Sequence, residues 1–543
     1  MDYPHVCGLC HRGAGFSTWV VSELPGVSMD YTPPLDAPYI RLRDRAATLY
    51  KPRVSTSLNN GFASEVYRVH ANTLANLERG FCTRVWRYKG EEPAACTVTR
   101  WPKFERALRG WPCAPFTAQQ VVDSALPRRR KLLQSAADSL SYLPIRRQDA
   151  AVSTFIKAEK FNYSRKPDAD PRLIQPRSNR YLVAHGRYIK AIEKSIYLAM
   201  GRLQRHPMVA KGFNAEETGR LLREKWDMYR DPVCIGLDAS RFDQHVSVPM
   251  LKATHRIYRR FINTTEFNRL CELQLVNKGY ARCPQGGFKY EVEGRRMSGD
   301  MDTSLGNCII MCAITYEMVA GWGQIFNNGD DCIIILERQD LPRLSNIHAH
   351  YLQYGFRVEV EPVVDTFERI EFCQTQPVWA DRWVMCRNPS AMAKDLTYIG
   401  PREARDTWLD AIGQCGMALT DGVPFFSVFY RTLLNGHKSK VRNSMLYSCG
   451  FTRLAERMTY QARCISQRAR YSFYLAFGME PQLQYALELA MGPAGKNIEQ
   501  LQPDAYIQYI TTSFPNDEDK KTKQTAPLFQ PGCPRPGFAA SAL

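Results

Sequence analysis

"QIFNNGDDCIIIL", residues 324–336, sets two acidic side chains between two apolar runs. Asn-Gly flanked by hydrophobic residues is a strong short-range hairpin signal, because a tight turn there requires positive φ. The stretch therefore predicts a hairpin with Asp330 and Asp331 together at its tip. Like charges held that close raise each other's energy unless a cation neutralises them. Hard divalent cations such as magnesium prefer carboxylate oxygen. An isolated Asn-Gly-Asp-Asp is equally compatible with a plain polar turn, so its meaning depends on what else the chain supplies.

Upstream, "VCIGLD" (233–238) has the composition of a buried strand and ends on Asp238, with Asp243 five residues on. An acid at the end of an apolar strand sits where a sheet meets solvent, a usual place for ligand groups. If that strand lies beside the hairpin, Asp238 and Asp330 converge into the carboxylate clamp that two metal ions need. Between them lies "MSGDMDTSLGN" (297–307). Ser298 and Gly299 make a flexible lead-in. Thr303 and Asn307, four apart, share a helix face and offer a hydroxyl and an amide suited to a sugar hydroxyl. A purely structural role for both is the alternative, since such side chains commonly bond to local backbone.

Residues 151–190 hold nine cationic side chains (Lys157, Lys160, Arg165, Lys166, Arg172, Arg177, Arg180, Arg187 and Lys190) against three acids. Pro167, Pro171 and Pro176 forbid one continuous helix there, so an extended basic segment is expected. The whole chain is strongly basic, with 72 Lys and Arg against 54 Asp and Glu, a formal charge of +18 over 543 residues. That excess points to a polyanion, nucleic acid or an anionic membrane surface. The 17 Cys sit mostly singly in apolar runs, as small hydrophobes do. Together with the length and the lack of a signal-peptide pattern, they exclude a disulfide-stapled secreted domain and suggest a reducing cytoplasm. No uncharged apolar run reaches membrane-spanning length.

Alternating strand-like and helix-like pieces run from about 232 to 375. "TSLGNCIIMCAITYEMVAG" reads as a buried helix ended by glycine, and "YGFRVEVEPVV" as a half-exposed strand. From about 376 the pattern reads as mainly helical. In residues 1–150 "LPRRRK" reads as a basic loop. "HVCGLCH" (5–11) places Cys7, Cys10 and His11 in a spacing found in half a zinc site, and chance proximity is the reading taken.

In order and spacing these stretches resemble the polymerase motifs of positive-strand RNA viruses. "DASRFD" resembles motif A, "SGDMDTSLGN" motif B, "NGDD" motif C, "EFCQTQPV" (371–378) motif E, and "FIKAEKFNYSRKPDADPRLIQPRS" (155–178) the basic motif F. The wording is most similar to the tombusvirus family and its relatives, especially in "KGFNAEETG", "GLDASRFDQHVS" and "MSGDMDTSLGNCIIMC". The strong match covers residues 150–400. The resemblance implies an α+β right-hand polymerase fold of fingers, palm and thumb, with an antiparallel palm sheet. Residues 1–150 would be an N-terminal extension and part of the fingers, and 151–232 fingers with motif F. Residues 233–375 would be palm with a fingers insertion, 376–514 a helical thumb, and 515–543 a disordered tail.

It further implies RNA-templated RNA synthesis from ribonucleoside triphosphates in viral genome replication, with two Mg2+ or Mn2+ ions on Asp238, Asp330 and Asp331. Asp243, Ser298, Thr303 and Asn307 would surround the nucleotide sugar, and Lys157, Lys166 and Arg172 the triphosphate. The expected partners are template and product RNA and a membrane-anchored viral replication protein. The expected location is host cytoplasm at membrane-bound replication complexes. One departure concerns motif D, where related enzymes carry a Lys. "EVEPVVDTFERIEF" (359–372) has none, which leaves Arg369 or water. The rival readings are a reverse transcriptase, disfavoured by Gly329, Asp243 and Asn307, and an inactive RNA-binding replication subunit, disfavoured by the full set of carboxylates.

Overall fold

The structure is a computed structural model. It describes residues 19–24, 27–32, 49–51, 54–56, 66–86, 95–389, 392–400, 404–434 and 454–491. The "HVCGLCH" stretch and the tail from 515 lie outside the described residues.

A four-stranded antiparallel sheet lies at the centre. Its order is Gly323–Asn327, Asp331–Glu337, Pro232–Ala239 and Val358–Val360. Period-two alternation gives each face its own core. Cys332, Ile334 and Leu336 face one cluster, and Ile333 and Ile335 face the other. The first cluster contains the helix Thr303–Val319, which is apolar on all sides and therefore wholly enclosed. It also holds the inner face of the long helix Asn179–Arg202. The second holds Arg405–Leu419, Phe426–Thr432 and Gln467–Phe477.

A second sheet of six strands runs in the order Trp19–Leu24, Val27–Thr32, Gly286–Glu293, Val276–Cys283, Val152–Ile156 and Leu173–Ile174. Strands from the first 60 residues thus pair with strands far along the chain. Val54–Thr56 likewise pairs with Thr397–Ile399.

The structure corrects three sequence expectations. "PRRRK" is not a loop but the opening of the helix Pro127–Tyr142, with Pro127 in the first turn where a missing N–H costs nothing. The basic segment is extended only to Pro176, for Ser178 caps the helix that begins at Asn179. The region after 376 does not start helical. Thr375–Trp379 and Trp383–Arg387 form a hairpin, turned by Asp381 at φ 57°. No helix among the described residues is long and apolar enough to cross a membrane.

Candidate active site

The turn of the central hairpin differs by one residue from its sequence reading. Asn327 pairs with Cys332, so Asn328 and Asp331 flank the turn and Gly329 and Asp330 are its central residues. The Asn328 N–H donates to the Asp331 carbonyl at 2.8 Å. Gly329 alone takes positive φ, 101°, the pattern of a turn with glycine in its first central position. The Asn327 amide locks the loop from inside. It donates to the Gly329 and Asp331 carbonyls and accepts from the Gly329 N–H at 3.0 Å.

This register decides where the carboxylates stand. Asp330 occupies the tip, while Asp331 is the first strand residue and lies directly opposite Asp238. Asp238 lies opposite Glu359 on its other side. Asp331, Asp238 and Glu359 therefore form a row across three strands on one face, with Asp330 above it. Facing carboxylates repel. Desolvation by the surrounding protein, then the Asp330 charge, push Asp331 up to about 6, although its outer edge is open to solvent. Glu359 was missed in the sequence because its place depends on long-range register. Its one local signal is the alternation of "VEVEP". Among the described residues no three acid, thiol or imidazole groups form a ready metal cage. The carboxylates are a set of oxygen donors on an open rim.

Asp238, Asp330, Asp243 and Glu359 line one side of a cavity of about 520 Å³. The other side is cationic, with Lys157, Lys166 and Arg172 of the basic segment joined by Arg84, Arg241 and Arg295. Crowding is severe enough that Arg84 falls to about 10, through burial first and then the charges of Arg241 and Arg172. Burial brings Arg295 to about 10 as well. Glu159 ties two of the expected cations together, at 2.7 Å from Lys157 and 3.4 Å from Arg172. Arg369 is exposed, in the short turn Phe367–Arg369, and is not part of the cavity wall.

Of the 297–307 stretch, Ser298 reaches the cavity wall, and the rest packs behind it. Ser298 donates to the Leu173 carbonyl at 2.8 Å. Gly299 packs so tightly on the basic segment that a Cβ would lie 2.4 Å from the Pro176 nitrogen. Arg177 reaches back in a two-pronged buried ion pair with Asp300, at 2.6 and 3.0 Å. Asp302 pairs with Arg296 at 2.9 Å. Burial raises the Asp302 carboxyl, but Arg296, His185, the Gln274 hydrogen bond and His255 together outweigh it and hold the group well below the usual range. Asn307 donates to Asp243 at 2.7 Å, which brings together two residues that the resemblance set around the sugar. Its amide oxygen is buried without a partner. Burial, opposed by that bond, brings Asp243 to about 6. Thr303 is placed differently, since its hydroxyl donates to the Met297 and Asp300 carbonyls at 2.7 and 3.1 Å. The 371–378 stretch meets the hairpin where the Asn328 amide contacts the Cys373 thiol at 2.9 Å.

Comparison with known proteins bears on the whole of this arrangement. The sequence model of the family described as "Viral RNA dependent RNA polymerase" matches residues 41–494. The RNA-directed RNA polymerase of Groundnut rosette virus (strain MC1) is 38% identical over 501 residues, covering 89% of this chain and 60% of that protein. That of Tobacco necrosis virus (strain A) is 41% identical, over 78% of this chain and 61% of its own length. That of Turnip crinkle virus is 36% identical, over 78% and 57%. The chain thus spans about 60% of the length of the curated relatives it matches. The match takes in both walls of the cavity, acidic row and basic segment alike, and the chain belongs to the family of viral RNA-dependent RNA polymerases.

Proposed function

We propose that the chain synthesises RNA on an RNA template from ribonucleoside triphosphates, in replication of a positive-strand viral genome. The observation that carries this reading is a single cavity with a row of carboxylates on one wall and crowded cations on the other. A nucleoside triphosphate has the matching chemistry, with an anionic tail for the cations and a reacting phosphate to be placed against the carboxylates. On this reading the central sheet is the palm, the six-stranded sheet and the basic segment belong to the fingers, and the helices after 404 form the thumb.

Carboxylate oxygens crowded without a ready cage suit two Mg2+ or Mn2+ ions, with Asp238 and Asp330 holding them and Asp331 assisting. Such ions, when bound, supply charge neutralisation at the attacking and leaving oxygens. The protein's own part is positioning and electrostatics. Lys157, Lys166 and Arg172 align the triphosphate. Asp243 and Asn307 present a hydrogen-bonding site to the sugar, and Ser298 and Thr303 fix the loop beside it. The basic surface takes the phosphate backbone, and base pairing supplies sequence choice. With no membrane-spanning helix among the described residues, recruitment to membrane-bound replication complexes in the host cytoplasm would pass through a membrane-anchored viral partner.

The test is nucleotide incorporation on a defined RNA template, with Asp238→Ala and Asp330→Ala beside the wild type and thermal midpoints measured in parallel. Incorporation should be lost in both variants while the midpoints hold or rise slightly, because each removes a repelling carboxylate. Near-wild-type incorporation in either variant would sink the assignment.

A further inference from the structure

The six-stranded sheet turns one face inward, where Ala281, Phe288, Tyr290 and Val292 are buried. Its other face is open along Val152–Ile156, Val276–Cys283 and Gly286–Glu293. In strand Val276–Cys283, Lys278, Tyr280 and Arg282 alternate outward, and Lys289 stands opposite Tyr280 on the neighbouring strand. On the other side Ser153 lies beside Tyr280 in parallel register. Phe155, two residues on, comes to the Arg282 level on the same face. Both aromatics are exposed, Phe155 by 42% and Tyr280 by 38%. The Arg282 guanidinium lies 5.4 Å from the centre of the Tyr280 ring. Lys278 is matched by Glu291 at 2.9 Å and Lys289 stands opposite Asp30 on the next strand, whereas Arg282 has no ion pair among the described residues. Lys278, Tyr280, Arg282 and Lys289 line a shallow hollow of about 330 Å³ on this face.

The face is continuous with the catalytic cavity. Phe155 pairs with Ile174 of the edge strand Leu173–Ile174, and Ile174 is part of the cavity wall. A strand leaving the cavity past Ile174 meets Phe155, then Tyr280 and Arg282, then Lys289. Exposed rings set between cations on an open sheet are what unpaired bases and their phosphates need. A protein partner would more often call for a fully apolar centre.

We propose that this face is a platform for single-stranded RNA, carrying the unread 5′ part of the template outside the catalytic cavity. Phe155 and Tyr280 stack on bases, and Arg282 and Lys289 meet phosphates. The proposal rests on the polymerase reading for the direction of the strand, but RNA binding can be measured without catalysis.

The experiment uses the whole chain with two primed RNA templates. One stops at the templating base, and the other extends about ten nucleotides further at its 5′ end, a span typical of single-strand platforms. Affinity is read by fluorescence anisotropy over a salt series without nucleotides, and incorporation is read separately. The variants are Phe155→Ala/Tyr280→Ala and Arg282→Gln/Lys289→Gln, all at exposed positions. The aromatic variant should bind the extended template at least roughly thirtyfold more weakly, as loss of two stacked bases does, and the short template as the wild type does. The charge variant should lower the log–log salt slope on the extended template by about 1.4, near 0.7 per cation. Unchanged affinity for the extended template would overturn the proposal, as a face built for a protein would give. Equal losses on both templates would overturn it too. A wild type that binds the extended template through this face but incorporates nothing on either template would break the polymerase reading and leave the platform standing.

Discussion

Asn307 gives its amide N–H to Asp243 and keeps a buried amide oxygen without a partner. Asp243 is the member of the pair that lines the cavity; a ribose 2′-hydroxyl can donate to the carboxylate that Asn307 holds in place, and a deoxyribose cannot. An unmade buried hydrogen bond costs about 1–3 kcal/mol, or roughly five- to 150-fold in kcat/KM. Asn307→Ala should therefore depress ribonucleotide use more than deoxyribonucleotide use, and the ratio between them should fall by that order. Asp243→Ala should act in the same direction, and the double variant should show less than the sum because both residues serve one network. Single-nucleotide incorporation of each ribo/deoxy pair measures this, and an unchanged ratio in both single variants would remove the sugar-selecting role. Asp243 and Asn307 were each legible in the sequence, one five residues past a strand-end acid and the other on a helix face, and the resemblance set them at one site. The hydrogen bonds of Thr303 were not, because they depend on how the loop before the helix folds back onto Met297. Nor was Glu359, whose place beside Asp238 is a property of strand register.

Among the elements, the best-read were those whose periodicity or composition is unmistakable. The helix Thr303–Val319 and the three longer strands of the central sheet lie where the sequence places them. The hairpin turn shows the limit. The sequence reading set both aspartates at the tip, but pairing of Asn327 with Cys332 makes Gly329 and Asp330 the central residues. That register separates the two aspartates, one to the tip and one to the strand. The join between the basic segment and the 297–307 stretch was also invisible, since Arg177 and Asp300 are 123 residues apart. Both side chains are almost completely buried. Removing one partner strands the other charge, at a cost of about 3–5 kcal/mol. Arg177→Met should lower stability in urea by that order, and Arg177→Met/Asp300→Leu should recover part of the loss. Equal losses in the single and double variants would mean that Asn277 and the Ala150 carbonyl, also bonded to Arg177, carry the effect instead.

Over the whole molecule, the charge of +18 includes cations buried where no polyanion can reach them, Lys225 among them. Lys225 is fully buried behind the central sheet, with its ammonium 3.1 Å from the Gln324 side-chain oxygen. Burial lowers it from 10.5 to about 7. Between those values the unfolded chain binds a proton that the folded chain does not, so stability rises with pH across that window. Below about 7 both states are charged and the penalty is complete. The slope is on the order of 1.4 kcal/mol per pH unit for a full proton difference. Lys225→Met should flatten the stability–pH curve between pH 7 and 10 relative to wild type. Parallel curves in urea denaturation at several pH values would show that Lys225 keeps an ordinary pKa. The composition revealed the excess charge, but a lysine in the amphipathic run Ala215–Trp226 looks like any surface lysine until the packing is known.

The pairing of Val54–Thr56 with Thr397–Ile399 also gives the molecule a timetable. A ribosome adds about 5–20 residues per second, so the early strand leaves roughly 17 to 70 seconds before its partner exists. Val27–Thr32 waits for Gly286–Glu293 in the same way. During synthesis the opening segment is a set of unpaired strand edges, the kind of surface that chaperones hold and that other chains invade. A nascent chain that stalls between Glu293 and Thr397 can pair Val27–Thr32 but still leaves Val54–Thr56 without its partner.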